Sequence, residues 1–144
     1  MLLYPKVKID IILHATESID KIFESLANFG LEQDKFEIQN LVGHFNNPIT
    51  LLSINLKKKN AESFITNILG AISKTDYNKI YENIEDYVSG SGLKLKINKQ
   101  KIIGGKILLR NDDAIKINIS SPVYVKKDSK KIYQQLLKLR NNSK

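Results

Sequence analysis

Val7, Ile9, Ile11 and Leu13 alternate with Lys8, Asp10, Ile12 and His14, the period of a strand with one buried and one wet face. A chain that opens this way builds a sheet and needs a second layer to cover the apolar side. Residues 16–30 supply a candidate: Ile19, Ile22, Phe23 and Leu26 recur at helical spacing, with Thr16 as the expected N-cap and Gly30 as the stop. Strand patterns return at 36–42 and 49–56, joined by the turn residues Gly43-His44-Phe45-Asn46-Asn47-Pro48. Two helical patterns follow, one from residue 61 with Asn60 as its cap, the other after Thr75. Short strands are then expected at 93–98, 105–110 and 114–119, before an amphipathic helix bearing Ile132, Tyr133, Leu136 and Leu137, capped by Asp128 or Ser129. The order predicts an α+β fold, a mainly antiparallel sheet with helices packed on one face. We read residues 1–125 as one domain and 126–144 as a basic C-terminal helix or tail.

Charge separates the chain into two parts. Residues 91–144 hold 14 Lys and Arg against 3 Asp, a balance of +11 within a total of +8, so the first 90 residues are acidic at −3. Such asymmetry points to a polyanion-facing surface, set against the plainer reading of a solvated lysine coat. Outward residues of the basic strands would be Lys94, Lys96 and Lys116. The run Lys57-Lys58-Lys59 reads by default as solvation.

Several functions fall away. The 144 residues contain no cysteine, which removes disulfides, thiolate metal sites and thiol nucleophiles. No apolar run approaches the roughly 20 residues of a membrane span, and residues 1–5 lack a signal peptide's pattern, so a cytoplasmic location without membrane partners is expected. Fingerprints of nucleotide-binding loops and serine hydrolases are missing. Neither a metal ion nor another cofactor is expected.

Both histidines fall at strand ends. Strands joined through a helix run in the same direction, so His14 and His44 should reach one edge of the sheet, near the free N–H groups of the first helix. There they either hydrogen-bond loop carbonyls or act as a metal-independent ribonuclease pair. A metal would need Glu17 or Asp20 as third ligand, without a recognised spacing. Asn46 suits a left-handed turn and Pro48 holds Asn47 extended, leaving Asn47 to close the turn or touch a sugar or base. In residues 98–106, Lys99, Lys101 and Lys106 with Gln100 surround Gly104-Gly105, where phosphate oxygens could be held or a charged turn could form. The tyrosines at 77, 81 and 87 have the spacing of core or dimer packing rather than base stacking.

His14-Ala15-Thr16-Glu17, then Gly43 to Ile49, then Asn98-Lys99-Gln100 with Gly104-Gly105, then Asp113-Ala114-Ile115-Lys116 resemble, in this order across residues 5–125, an archaeal family of RNA-binding, exosome-associated proteins. The family's pattern has glycine where this chain has Asn46, aspartate where it has Asn98 and an acid where it has Ser18. The resemblance implies a fold similar to the ribosomal protein that binds 5S rRNA, homodimers, and an RNA-related role without enzymatic activity. On this basis Lys94, Lys96, Lys99, Lys101 and Lys106 are expected at phosphates. His14, His44, Asn47 and Gln100 are expected to shape the RNA-facing edge. RNA is the expected partner, with exosome or ribosomal proteins beside it. The alternative is a protein-interaction subunit whose lysines serve solubility.

Overall fold

The computed structural model describes residues 4–122 and 126–142. Six strands form one antiparallel sheet in the order β2-β3-β1-β6-β5-β4: β1 Lys6–His14, β2 Glu37–Val42, β3 Pro48–Lys57, β4 Val88–Ser89, β5 Gly92–Asn98 and β6 Ala114–Ser120. The expected α+β class and antiparallel sheet are what the chain forms.

Alternation decides which side is covered. Val7, Ile9, Ile11 and Leu13 of β1, Leu93, Leu95 and Ile97 of β5, and Ile115, Ile117 and Ile119 of β6 are all buried in one core. Helices α1 (Ile19–Ala27), α2 (Lys58–Ala71), α3 (Lys74–Glu82), α4 (Ile84–Tyr87) and α6 (Ser129–Leu137) pack their apolar stripes into that core, while α5 (Lys99–Ile103) closes the end of β5 and contacts α1. The C-terminal helix belongs to the same core, because Tyr133, Leu136 and Leu137 are buried in it. Arg140, just beyond α6, donates to the carbonyls of Leu69 and Ile72 and lies over the Tyr77 ring at 4.9 Å. Tyr77 also donates to the Leu137 carbonyl and stacks with Tyr81 at 6.2 Å. Those two tyrosines therefore fasten the C-terminal helix, in line with their core spacing.

Four local expectations need correction. Ser18, not Thr16, caps α1 by accepting the Lys21 amide. Ser73 caps α3 in the same way, and Asn60 lies inside α2, which has no side-chain cap. Residues 105–110 do not form a full strand. Gly104-Gly105 turns the chain out of α5, and the returning segment meets the outer edge of β5 only at a bridge between Leu109 and Ile97 and two flanking backbone hydrogen bonds. Asn83 breaks the third helical pattern into α3 and α4.

Candidate nucleic-acid interface

Residues directly opposite in antiparallel strands share a face, so the register lays out the uncovered side of the sheet row by row. One row holds Lys96, Lys116, Asp10, Ser53 and Glu37; the next holds Lys94, Asn118, Lys8 and Asn55; the third holds Ser120, Lys6 and Lys57. All six of these lysines are exposed. Lys96 stands directly opposite Lys116, and Lys6 directly opposite Lys57. Among the described residues none of the six has a carboxylate within salt-bridge distance. Opposed like charges destabilise a sheet, so this arrangement costs the free protein something that a scattered lysine coat would not. A shallow concavity of about 620 Å³ runs over this face, with Lys8, Asp10, Ile12, Gln39, Ser53 and Lys116 on its walls. Lys94 and Lys96 also border a second hollow with Lys79 and Arg110.

Lys6, Lys8 and Lys57 were not among the expected contacts, since they lie in the acidic part of the sequence. The signal was nevertheless present: Lys6 and Lys8 occupy the outward phase of the alternation that buries Val7 and Ile9.

The quoted motifs meet elsewhere, at the end of the sheet where β1 and β5 finish. Lys99, expected at a phosphate, is only 2% exposed. Its ammonium donates to the Ile12 carbonyl at 2.6 Å, to Glu17 Oε1 at 2.8 Å and pairs with Asp113 Oδ1 at 3.0 Å, which uses all three of its protons. Gln100 bridges the same two acids, donating from Nε2 to Glu17 Oε2 and Asp113 Oδ2. Glu17 Oε1 accepts the His14 amide as well, and Asn98 caps α5 through the Lys101 amide while donating to the Asp112 carbonyl. Three of the four motifs thus satisfy one another. Lys99 is withdrawn from the phosphate contacts because burial without its two acids would be prohibitively costly. Lys101 and Lys106 are exposed on α5 and the turn after it, outside the strand rows.

Burial opposes ionisation of Asp113, but the Lys99 and Gln100 hydrogen bonds, the Lys99 charge and nearby His14 outweigh it and hold the carboxyl below its usual range. A carboxyl depressed in the folded state contributes stability above its unfolded pKa and loses it as pH falls through the folded one. The wild type should therefore lose stability more steeply than Asp113→Asn below about pH 4, measured as denaturation midpoints across an acid series. Parallel acid limbs would refute this.

His14 and the backbone of His44 do lie at one end of the sheet, as expected, but β3 separates their strands. Strands β1 and β2 lie two strand spacings apart, about 9.5 Å, and His44 follows β2 in the turn. The side-chain position of His44 lies outside the described residues. At the end of the first helix, where free N–H groups are expected near the histidines, the Ser18 hydroxyl accepts the Lys21 amide and Glu17 and Asp20 flank the end. In the β2–β3 turn Asn46 is left-handed as expected, with φ 60°, and the Gly43 amide donates to the Asn47 carbonyl at 2.7 Å. The exposed Asn47 therefore closes this turn through its backbone.

Comparison with known proteins agrees with this architecture. A protein of Pyrococcus abyssi named RNA-binding protein PAB1135 is 29% identical over 121 residues, covering 78% of this chain and 79% of that protein. The crystal structure of protein AF2318 from Archaeoglobus fulgidus superposes with a TM-score of 0.75 at 25% identity, covering 92% of this chain and 99% of the other. Protein SSO0741 from Sulfolobus solfataricus gives 0.71 at 25% identity, over 91% and 96% of the two chains. The profile of the RNA_binding family, described as RNA binding, matches residues 6–121, and the chain belongs to that family.

Proposed function

We propose that this protein is a non-catalytic RNA-binding module that holds the sugar-phosphate backbone on the open face of its sheet. The observation that carries the reading is the two pairs of directly opposed lysines, Lys96–Lys116 and Lys6–Lys57, on a face that no helix of the described residues covers. A polyanion relieves their repulsion and gains entropy from released counterions. Lys8 and Lys94 extend the same field, and the exposed Asn55 beside Lys8 offers hydrogen bonds to sugar or phosphate. Contacts of this kind fix position without reading sequence.

Binding of a fluorescent oligouridylate by the full chain, measured across a salt series, tests the reading. With six lysines each neutralising one phosphate, log affinity should fall against log salt with a slope of about −4. A flat response would remove the proposal.

The relatives' RNA-binding description supports this role. Within it we place the protein in the cytoplasm as an accessory of an archaeal exosome or of ribosome-linked RNA processing, working as a homodimer, with a fold similar to the 5S-rRNA-binding ribosomal protein. Pull-down before and after nuclease treatment tests the assembly, since partners lost with the RNA are held through it. One observation favours a second reading, a protein-docking subunit: edge strand β2 exposes Ile38, Leu41 and Val42. Partners that persist after nuclease would support that reading. A ribonuclease using His14 and His44 would require both imidazoles to act on one phosphate. Equal RNA stability with wild type and with a double alanine variant would eliminate it.

A further inference from the structure

We propose that the hollow at the outer edge of β5 holds the terminal phosphate of the RNA whose backbone lies on the lysine face. The inference rests on the RNA-binding reading and adds to it a chemical class of ligand, a phosphomonoester at a strand end. The hollow has a volume of about 510 Å³, and Lys79, Lys94, Lys96 and Arg110 line it, with Asp86 as the acidic residue on its wall. Four cations against one carboxylate leave that wall strongly positive.

These cations converge from separate parts of the chain. Lys94 and Lys96 take the outward phase of β5, Lys79 sits in the last turn of α3 in the helical layer, and Arg110 arrives on the segment that returns after Gly104-Gly105. Backbone pairing fixes that segment. The Arg110 amide donates to the Lys96 carbonyl at 3.0 Å, and Leu109 bridges Ile97. On the same edge, β4 pairs with β5 at Gly92 and Leu93. Neither pairing includes Lys94 or Leu95, so the edge is notched there, where side chains of the open face and of the helical layer can meet around one ligand.

The groups suit a phosphate. Among the described residues Lys79, Lys94 and Lys96 have no carboxylate within salt-bridge distance. Arg110 pairs with Asp112 at 3.3 Å, but their side chains are 50% and 72% exposed, and an ion pair so wet contributes little that a phosphate could not replace. A guanidinium grips phosphate through two parallel N–H bonds and an ammonium acts as a point charge.

The charges beyond the hollow say why a strand should end in it. Past Lys79 the exposed charged residues of α3 and α4 are Glu82, Glu85 and Asp86, of which Glu85 is paired with Lys130. A strand that crosses the lysine rows to this edge therefore finds cations at its last phosphate and carboxylates ahead of it, which repel a further one. A phosphomonoester carries about −1.5 to −2 at pH 7 where an internal diester carries one charge, and converging cations favour the more highly charged group.

Full-length wild type should be titrated with three internally labelled oligouridylates, one with hydroxyls at both ends, one with a 5′-phosphate and one with a 3′-phosphate. At least one phosphorylated form should bind about tenfold more tightly than the hydroxyl form, the order expected for an added charge held by several cations, and the form that gains identifies the end that is held. Lys79→Glu and Arg110→Glu, made separately at exposed positions, should each erase the preference, while Arg110→Lys should keep most of it. The inference fails if the wild type binds all three forms alike while its salt slope stays steep, a result that leaves the RNA reading intact. It also fails if the preference survives in both glutamate variants, which would place the terminal phosphate elsewhere on the lysine face. Absence of binding by every form would overturn both readings together.

Discussion

Reversing Lys94, Lys96 and Lys116 together to glutamate should weaken oligouridylate binding at least about a hundredfold at low salt and flatten the salt slope from about −4 to about −2. Each attraction at contact distance in water is worth about 1 kcal/mol, so removing three costs ~3 kcal/mol, a factor of about a hundred, before any new repulsion is counted. The slope falls because three fewer phosphates release counterions, at about 0.7 each for a single strand. Folding should survive, since all three side chains are exposed and no salt bridge depends on them. The single change Lys96→Glu provides the internal control. It converts an opposed pair of lysines into a Lys–Glu pair with Lys116, which should stabilise the sheet by a few tenths of a kcal/mol to about 1 kcal/mol while still weakening RNA binding. Stability and affinity moving in opposite directions would be the signature of charges kept for a ligand. If Lys96→Glu instead destabilises the fold, the lysines serve the sheet itself and the argument from their repulsion is lost.

How much of this was legible in the chain depends on the range of the interaction involved. Alternation along β1, β5 and β6 is local, so the covered and open faces, and the outward direction of Lys94, Lys96 and Lys116, followed from a few consecutive residues. Strand order is not local. Nothing within residues 6–14 says that β6 lies on one side and β3 on the other, and only that order brings Lys8 beside Lys94 across Asn118 and sets Lys6 against Lys57. Lys99 misled for a related reason. A lysine beside glutamine and before paired glycines looks like a solvent-facing phosphate ligand until the chain brings Glu17, 82 residues away, to its ammonium. The strict apolar spacing of α6 was visible, but its place in the common core depends on Tyr77 lying against it and on Arg140, just beyond it, reaching the carbonyls of Leu69 and Ile72, again long-range partners.

The strongest effect on stability is expected at Lys99. Methionine at this position keeps the length of the side chain but leaves Glu17 and Asp113 facing each other with Gln100 as their only shared donor, and it strips the Ile12 carbonyl of its partner. Removing one member of a buried ion pair costs about 3 to 5 kcal/mol. Asp113 keeps 35% of its side chain in water, which places Lys99→Met near the lower end, about 3 kcal/mol. The sign of its pH dependence follows from the acids. At neutral pH Asp113, whose carboxyl Lys99 holds below its usual range in the wild type, is charged and uncompensated in the variant, so the deficit is largest there; as pH falls through the carboxylate range it accepts a proton and the deficit shrinks. Chemical denaturation of wild type and variant between neutral pH and about pH 3.5 measures both quantities, the lower limit lying within the range where carboxylates titrate. Adding Glu17→Gln and Asp113→Asn to Lys99→Met should recover part of the loss, because removing every partner of a buried charge is less damaging than removing one. The same variants separate structure from binding. Lys99 has no proton left for a phosphate, so under conditions where Lys99→Met is folded its salt slope for oligouridylate should equal that of the wild type. A deficit below about 1 kcal/mol, typical of an exposed pair, or one that grows on acidification, would mean that the clasp at this end of the sheet is not what holds β1, α5 and the turn before β6 together. A reduced slope would return Lys99 to the phosphate contacts.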